Sequence, residues 1–337
     1  MLGLPRRVPA AQRLRPRLQA ERLRARRQHP KLEELRRNGP DGLVALQHQR
    51  ARWCCPGYGS NDVFSVQQLS AFYGGAIYAP LGLGALIQWT WDGVGHLWDW
   101  DNTDIRLARP MRLFGHDLVV GTTLNNNPSV ADVWNTLPAW GYPFIDSSLG
   151  FGTGDFSPYI AGLAQAVWGG GGYFDYNKWV YGEFDLYRSL SNGQSKALTG
   201  GEVSGLSIPG VAVYGRLAVH HTFGNHSFML GTFVLNANPQ PTGPIRGFGT
   251  DQITDVGVDG MYQWISGVNA VTVNAAYTHE HASWNASFNP GLPTGPLVSN
   301  NADYSDYFNA NVQYLWNQKI GGVLGYFYNS GSADPLL

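Results

Sequence analysis

No stretch of this 337-residue chain approaches the ~20 consecutive apolar residues that a membrane-crossing helix requires. Its mean hydropathy of -0.21 agrees, which excludes a bundle of helical spans. Charge is scarce as well, at 14% of residues. Cysteine is almost absent: Cys54 and Cys55 are adjacent, and neighbouring cysteines seldom form a relaxed disulfide, so no disulfide framework is implied. No Cys-x-x-Cys-His is present, so the chain as translated attaches no haem c by that motif and carries no cofactor of its own. A Gly-x-Ser-x-Gly elbow is missing, and no Ser-His-Asp arrangement can be argued. Gly169-Gly170-Gly171-Gly172 lacks the Lys-Ser/Thr and the following helix of a phosphate loop. Catalysis finds no positive support in these patterns, and the expectation is a chain that is not an enzyme.

What the chain has instead is glycine, 43 residues, and aromatic side chains, 13%. Between Asp62 and Asn329 apolar and polar residues alternate for about ten residues at a time. In Val211-Ala212-Val213-Tyr214-Gly215-Arg216-Leu217-Ala218-Val219-His220, Val211, Val213, Leu217 and Val219 share one face, with Tyr214, Arg216 and His220 on the other. A membrane strand needs about 9–11 tilted residues, against about 5–6 for a soluble strand. Twelve strands are expected, near 62–73, 83–92, 103–109, 116–125, 158–168, 177–188, 209–220, 226–236, 251–264, 269–280, 304–317 and 320–329. Gly224-Asn225 and Ser266-Gly267 are tight-turn chemistry, whereas 189–208, 237–250 and 282–303 are long and rich in Ser, Asn, Gly and Pro. Short turns at one end and long loops at the other describe an outer-membrane barrel. The fold class is therefore all-β: an antiparallel transmembrane β-barrel over residues 57–337, located in the outer membrane and in contact with its lipid. The Pro- and Trp-rich stretch 126–150 is expected to fold into the lumen as a constriction. The chain stops in what reads as a loop, Ser332 to Leu337, so the barrel is expected to be truncated. Twelve is an even number, however, and a smaller closed barrel is the alternative.

Residues 1–56 differ. The first 52 hold 14 of the 23 Lys and Arg and just four acids, leaving the remainder with 9 bases, 20 acids and a net charge of -11. A basic arm ordinarily suggests nucleic acid or anionic lipid, but such an arm should also show a partner-binding pattern. No nucleic-acid partner is expected. The segment is instead read as a GC-rich gene translated out of register. Met1 is ATG and any Leu2 codon begins with C or T, so the +1 frame opens on cysteine. With GC-leaning codons for Leu2 to Arg6 that frame continues Trp-Ala-Cys-His, a haem-attachment motif. Read as it stands, the segment is a basic, low-aromatic region, disordered or helical.

With that motif restored, the chain resembles the outer-membrane cytochrome–porin fusions of Gram-negative bacteria, in which a single-haem c-type domain precedes a porin-like barrel. The resemblance rests on Gly59-Ser60-Asn61-Asp62, Gln67 through Gly75, Asp101-Asn102-Thr103-Asp104-Ile105-Arg106, Gly115 through Gly121, Asn125-Asn126-Asn127-Pro128 and Pro138-Ala139-Trp140-Gly141, in that order. It implies haem c in the intact protein, electron transfer across the outer membrane, a periplasmic electron carrier as one partner and an extracellular redox partner as the other. The alternatives are a general diffusion porin without haem and a soluble all-β binding protein.

The expected lumen-facing set is Glu183, Asp185, Tyr214, Arg216, His220, Asp255, Asp259, Glu280, Asn309, Asn311 and Gln313. Carboxylates outnumber bases there, so the interior either favours cations or is ordinary polar filling. His279 and His281 share a face and form a weak candidate metal site lacking a third ligand, with a polar strand end at the membrane rim as the plainer reading. The His220-His221 pair points one ring each way and is weaker still.

Overall fold

A computed structural model describes residues 68–92, 97–137, 158–163, 166–198, 206–241, 247–292 and 295–336. The basic segment 1–56, both cysteines and the haem-motif region lie outside these residues. Twelve strands are present among them: β1 Gln68–Tyr78, β2 Leu83–Asp92, β3 Leu97–Leu113, β4 His116–Asn125, β5 Val167–Tyr176, β6 Val180–Ser189, β7 Ala212–Phe223, β8 His226–Ala237, β9 Gln252–Ser266, β10 Asn269–Ser283, β11 Ala302–Trp316 and β12 Ile320–Gly331. They form one antiparallel sheet in strict sequence order, each strand paired with the next. The sheet is open, because β1 and β12 do not pair with each other. Among the described residues three short α-helices accompany it: α1 Pro128–Ala131, α2 Tyr159–Gly162 and α3 Asn192–Leu198. No described helix is long and apolar enough to cross a membrane, a finding that does not bear on strands.

The register explains the alternation. On the outer face of β9 stand Val256, Val258, Gly260, Tyr262 and Trp264, and on β11 Phe308, Ala310, Val312, Tyr314 and Trp316. Leu324, Tyr326 and Tyr328 continue that face onto β12 and are all exposed. From Val256 to Trp264 the strand advances about 26 Å, which a tilt of about 40° reduces to about 20 Å of height. Rings at both margins of this band, Trp264 and Trp316 at one and Tyr277, Tyr304 and Tyr328 at the other, make interfacial girdles. A wall apolar outside and polar inside is that of an outer-membrane β-barrel. We expect Val312→Arg, near mid-band, to cost about 2–4 kcal/mol in urea titrations of folding into phosphocholine vesicles. No loss there would take this face out of lipid.

Turns follow the backbone chemistry. Phe114 and Gly115 both adopt positive φ, at 50° and 80°, reversing the chain between β3 and β4. Long connections gather at the other end, where carboxylates clasp them. Asp251 accepts the amides of Ala286 at 2.8 Å and Ser287 at 2.9 Å. Asp334 accepts from the amides of Ser299 at 2.8 Å, Asn300 at 3.0 Å and Leu336 at 2.8 Å. Slight burial opposes ionisation of Asp334, yet these donors prevail and hold its carboxyl below the ordinary value. A lowered carboxyl pKa gives stability that is present above the unfolded value, about 3.9, and is lost as pH falls through the folded one. The clasp should therefore hold at about pH 4 and open in stronger acid, which pepsin cleavage near Asn300 across that range would read.

The strand reading differs from the structure at three places. The segment near 158–168 was expected as the fifth strand, but α2 begins there and β5 runs through the four glycines instead. β1 runs five residues past its expected end, with 62–67 outside the described residues, and β3 is 17 residues long and extends beyond both expected ends.

Candidate functional site

After Asn125 the chain leaves the wall and crosses the inside of the sheet. Asn126 anchors it, donating from Nδ2 to the Asp101 carbonyl at 2.5 Å and accepting from the Thr103 amide at 2.8 Å. Asn127 caps α1 through the Ser129 amide, with Pro128 in the first turn, where its missing N–H costs nothing. Asp132 then folds the next turn around itself, accepting from the amides of Trp134, Thr136 and Leu137 at 3.1, 2.7 and 2.9 Å. This wedge, 126–137, is the described part of the expected luminal constriction. Pro128 to Ala131, Asp132, Thr136 and Leu137 are all buried.

Two arginines fasten the wedge to the wall. Arg106 on β3 pairs with Asp104 at 2.6 Å and with Glu183 on β6 at 3.3 Å, and it donates to the Ala131 carbonyl and to the Tyr181 hydroxyl at 3.2 Å. Its guanidinium lies 4.8 Å from the Tyr173 ring centre. Arg216 on β7 has a fully buried side chain, pairing with Asp259 on β9 at 2.6 Å and with Asp132 of the wedge at 3.4 Å. Thr136 also donates to Asp259. Trp134 stacks edge-on against Tyr181 at 5.1 Å and lies 5.2 Å from His220, whose Nε2 approaches Asp175 at 3.1 Å.

A second inward piece, α2, is held by carboxylates directly opposite each other on β9 and β10. The Ile160 amide donates to Asp255 and the Tyr159 amide to Glu280, both at 2.6 Å. Ile160 and Leu163 then join Leu137, Val167, Tyr187, Tyr214 and Leu235 in an apolar core inside the curve of the sheet.

A bulge in β3 supports the anchor. Ile87 pairs with Thr103 and Trp89 with Trp100, so Gln88 faces two residues, Asp101 and Asn102. Both turn inward, Asn102 donating to Gln88 at 2.9 Å and Asp101 accepting from Thr90 at 2.9 Å. Tyr187, fully buried, donates to Asn125 at 2.8 Å and to Asp185 at 3.1 Å.

All of the expected lumen set faces inward. Asn309 and Gln313 are half-buried, as are His220 and Glu280. The expectation of a water-lined passage is corrected for Glu183, Asp185, Tyr214, Arg216, Asp255 and Asp259, which are buried beneath the wedge and α2. Asn311, on the inner face of β11, is buried as well. His279 and His281 face outward at the long-loop margin. There His279 Nδ1 lies 2.8 Å from Asp306, which also accepts the Tyr277 hydroxyl at 2.5 Å. Among the described residues no group of three metal-ligating side chains forms. Sequence reasoning missed Asp132, Trp134 and Thr136, although the proline-broken stretch around them was the signal.

No family description matches the chain, and no curated protein matches it. A solved structure, OmpTdeltaL8 (a loop L8 deletion mutant of OmpT), an outer membrane protein of Vibrio cholerae, is similar at 10% identity and a TM-score of 0.38, covering 79% of this chain and 85% of that one. The expectation of a chain that is not an enzyme is corrected: it rested on missing linear motifs, and their absence does not exclude catalysis, because the strands appose groups far apart in sequence, here Asp255 with Glu280 and Arg106 with Glu183.

Proposed function

We propose that this chain is the barrel part of an outer-membrane cytochrome–porin, a sheath through which the intact protein passes electrons across the outer membrane. The carrying observation is where the resemblance segments meet. Asp101 to Arg106 and Asn125 to Pro128 are distant from each other in sequence, yet together they build the anchor of one inward wedge. The apolar core behind that wedge closes part of the interior, which suits a seal around a redox module better than a wide diffusion path. The described wall does not itself fit a haem c. The chain lacks Cys-x-x-Cys-His, and the inward His220 is enclosed beside Asp175 at 3.1 Å and the Trp134 ring at 5.2 Å. Any haem would thus be carried by residues outside those described, with the barrel excluding water and lipid around it.

The test is to express the gene from upstream DNA with the first fifty codons restored to the +1 frame. A covalent haem stain on the barrel band, and reduction of an acceptor enclosed in proteoliposomes by an external donor, are expected. A haem-free product that instead lets small sugars swell liposomes would establish the second reading, a diffusion porin. That reading is favoured by the uncharged inner face that runs from Thr278 on β10 and Ser305 on β11 toward the short turns and covers β12.

A further inference from the structure

The inner face is divided by charge. From β3 to β9 it carries Asp104, Arg106, Glu183, Asp185, Arg216, Asp255 and Asp259, mostly locked together. From Thr278 on β10 toward the short-turn end, and on through β11 below Asp303, all of β12 and all of β1, no charged side chain stands on the inner face. Amides replace the charges. Asn274 and Asn311 are direct partners, Thr272 sits between Gln263 and Gln313, and Asn309 lies between Ala276 and the Phe327 position of β12. Gln263 donates to Thr272 at 3.1 Å, while Asn274 Oδ1 is buried and accepts no hydrogen bond.

Each amide offers both donors and an acceptor. Same-face neighbours repeat about 4.8 Å across the strands and about 6.7 Å along them. A charged solute would lose water here and gain no countercharge, and an apolar one would leave the amides unpaired. A neutral solute rich in hydroxyls matches donor to acceptor. We propose that this amide lane binds a neutral oligosaccharide. The proposal stands apart from the electron-transfer reading, because no residue of the lane belongs to the wedge or its anchors.

The experiment is calorimetric titration of the full chain in a non-sugar detergent, with maltohexaose, hexagalacturonate and a neutral hexapeptide as probes. Saturable binding of maltohexaose is expected, with the charged sugar and the peptide each at least tenfold weaker. Asn309→Leu and Gln313→Leu, both half-buried lane amides, should each weaken maltohexaose at least tenfold, while Arg112→Ala, on an exposed ion pair outside the lane, leaves it unchanged. Heat-modifiable gel mobility identifies any variant that fails to fold, and the other lane variant is then read. Absence of saturable maltohexaose binding, equal binding of the charged sugar or the peptide, or indifference to both folded lane variants overturns the proposal. None of these outcomes touches the haem stain that tests the electron-transfer reading.

Discussion

Arg216→Met should lower the stability of the folded barrel by about 3–5 kcal/mol, the loss typical when one partner of a buried ion pair is removed. The reason lies in what remains. Asp132 and Asp259 stay buried with no exposed side-chain surface on Asp132 and face the site from which the guanidinium approached at 3.4 and 2.6 Å. Trp134, whose ring centre is 5.4 Å from that guanidinium, loses its cation as well. Arg112→Met is the control. Its pair with Asp117 is 3.7 Å long, with side chains 80% and 66% exposed, and such pairs contribute about 0–1 kcal/mol. Adding Asp132→Asn and Asp259→Asn to Arg216→Met should recover part of the loss, because asparagine removes the stranded charge and keeps one accepting oxygen for the turn. Urea titration followed by tryptophan fluorescence and gel mobility measures all three. Equal behaviour of Arg216→Met and Arg112→Met would mean that the wedge is not seated by this arginine.

Gly171→Ala is expected to be comparably severe, at more than ~3 kcal/mol, because the obstacle is backbone rather than a movable side chain. A Cβ on Gly171 would overlap the Phe184 carbonyl oxygen and Asp185 Oδ1 on the paired strand. At Gly169 the Tyr187 ring fills the same space, so the glycines of β5 make room for the aromatic and acidic residues that β6 sends inward. Gly322→Ala is the contrast, since nothing lies within 4 Å of its added methyl. Yield in outer-membrane fractions should collapse for Gly171→Ala and hold for Gly322→Ala. A normal yield for both would contradict the close approach of β5 and β6.

The same glycines show why part of the fold was illegible from sequence. A strand announces itself by side chains of alternating polarity, and Gly169 to Gly172 have none to alternate. Their neighbour 158–163 looked extended, yet its first amides are satisfied by carboxylates about a hundred residues away. Where the pattern was strong, as from Ala212 to His220 and from Phe308 to Trp316, face and strand agree with the structure. The site divides in the same way. Facing follows from period-2 geometry, so Glu183, Arg216, Asp255 and Asp259 were legible as inward residues. Their burial was not, because what covers them comes from the loops 126–137 and 158–163, whose path depends on long-range hydrogen bonds. The bulge that turns both Asp101 and Asn102 inward has no local signature beyond an extra polar residue.

The division of the inner face has a mechanical side. Strands β3 to β9 are cross-braced from within by the wedge, α2 and two guanidinium struts. Neither guanidinium strut and neither α2 clasp reaches β1 or β12, which stand at the two ends of the strand order. Under lateral pressure from surrounding lipid, the braced arc should keep its curvature while the margins flex, so breathing of the wall would be concentrated beside the uncharged lane.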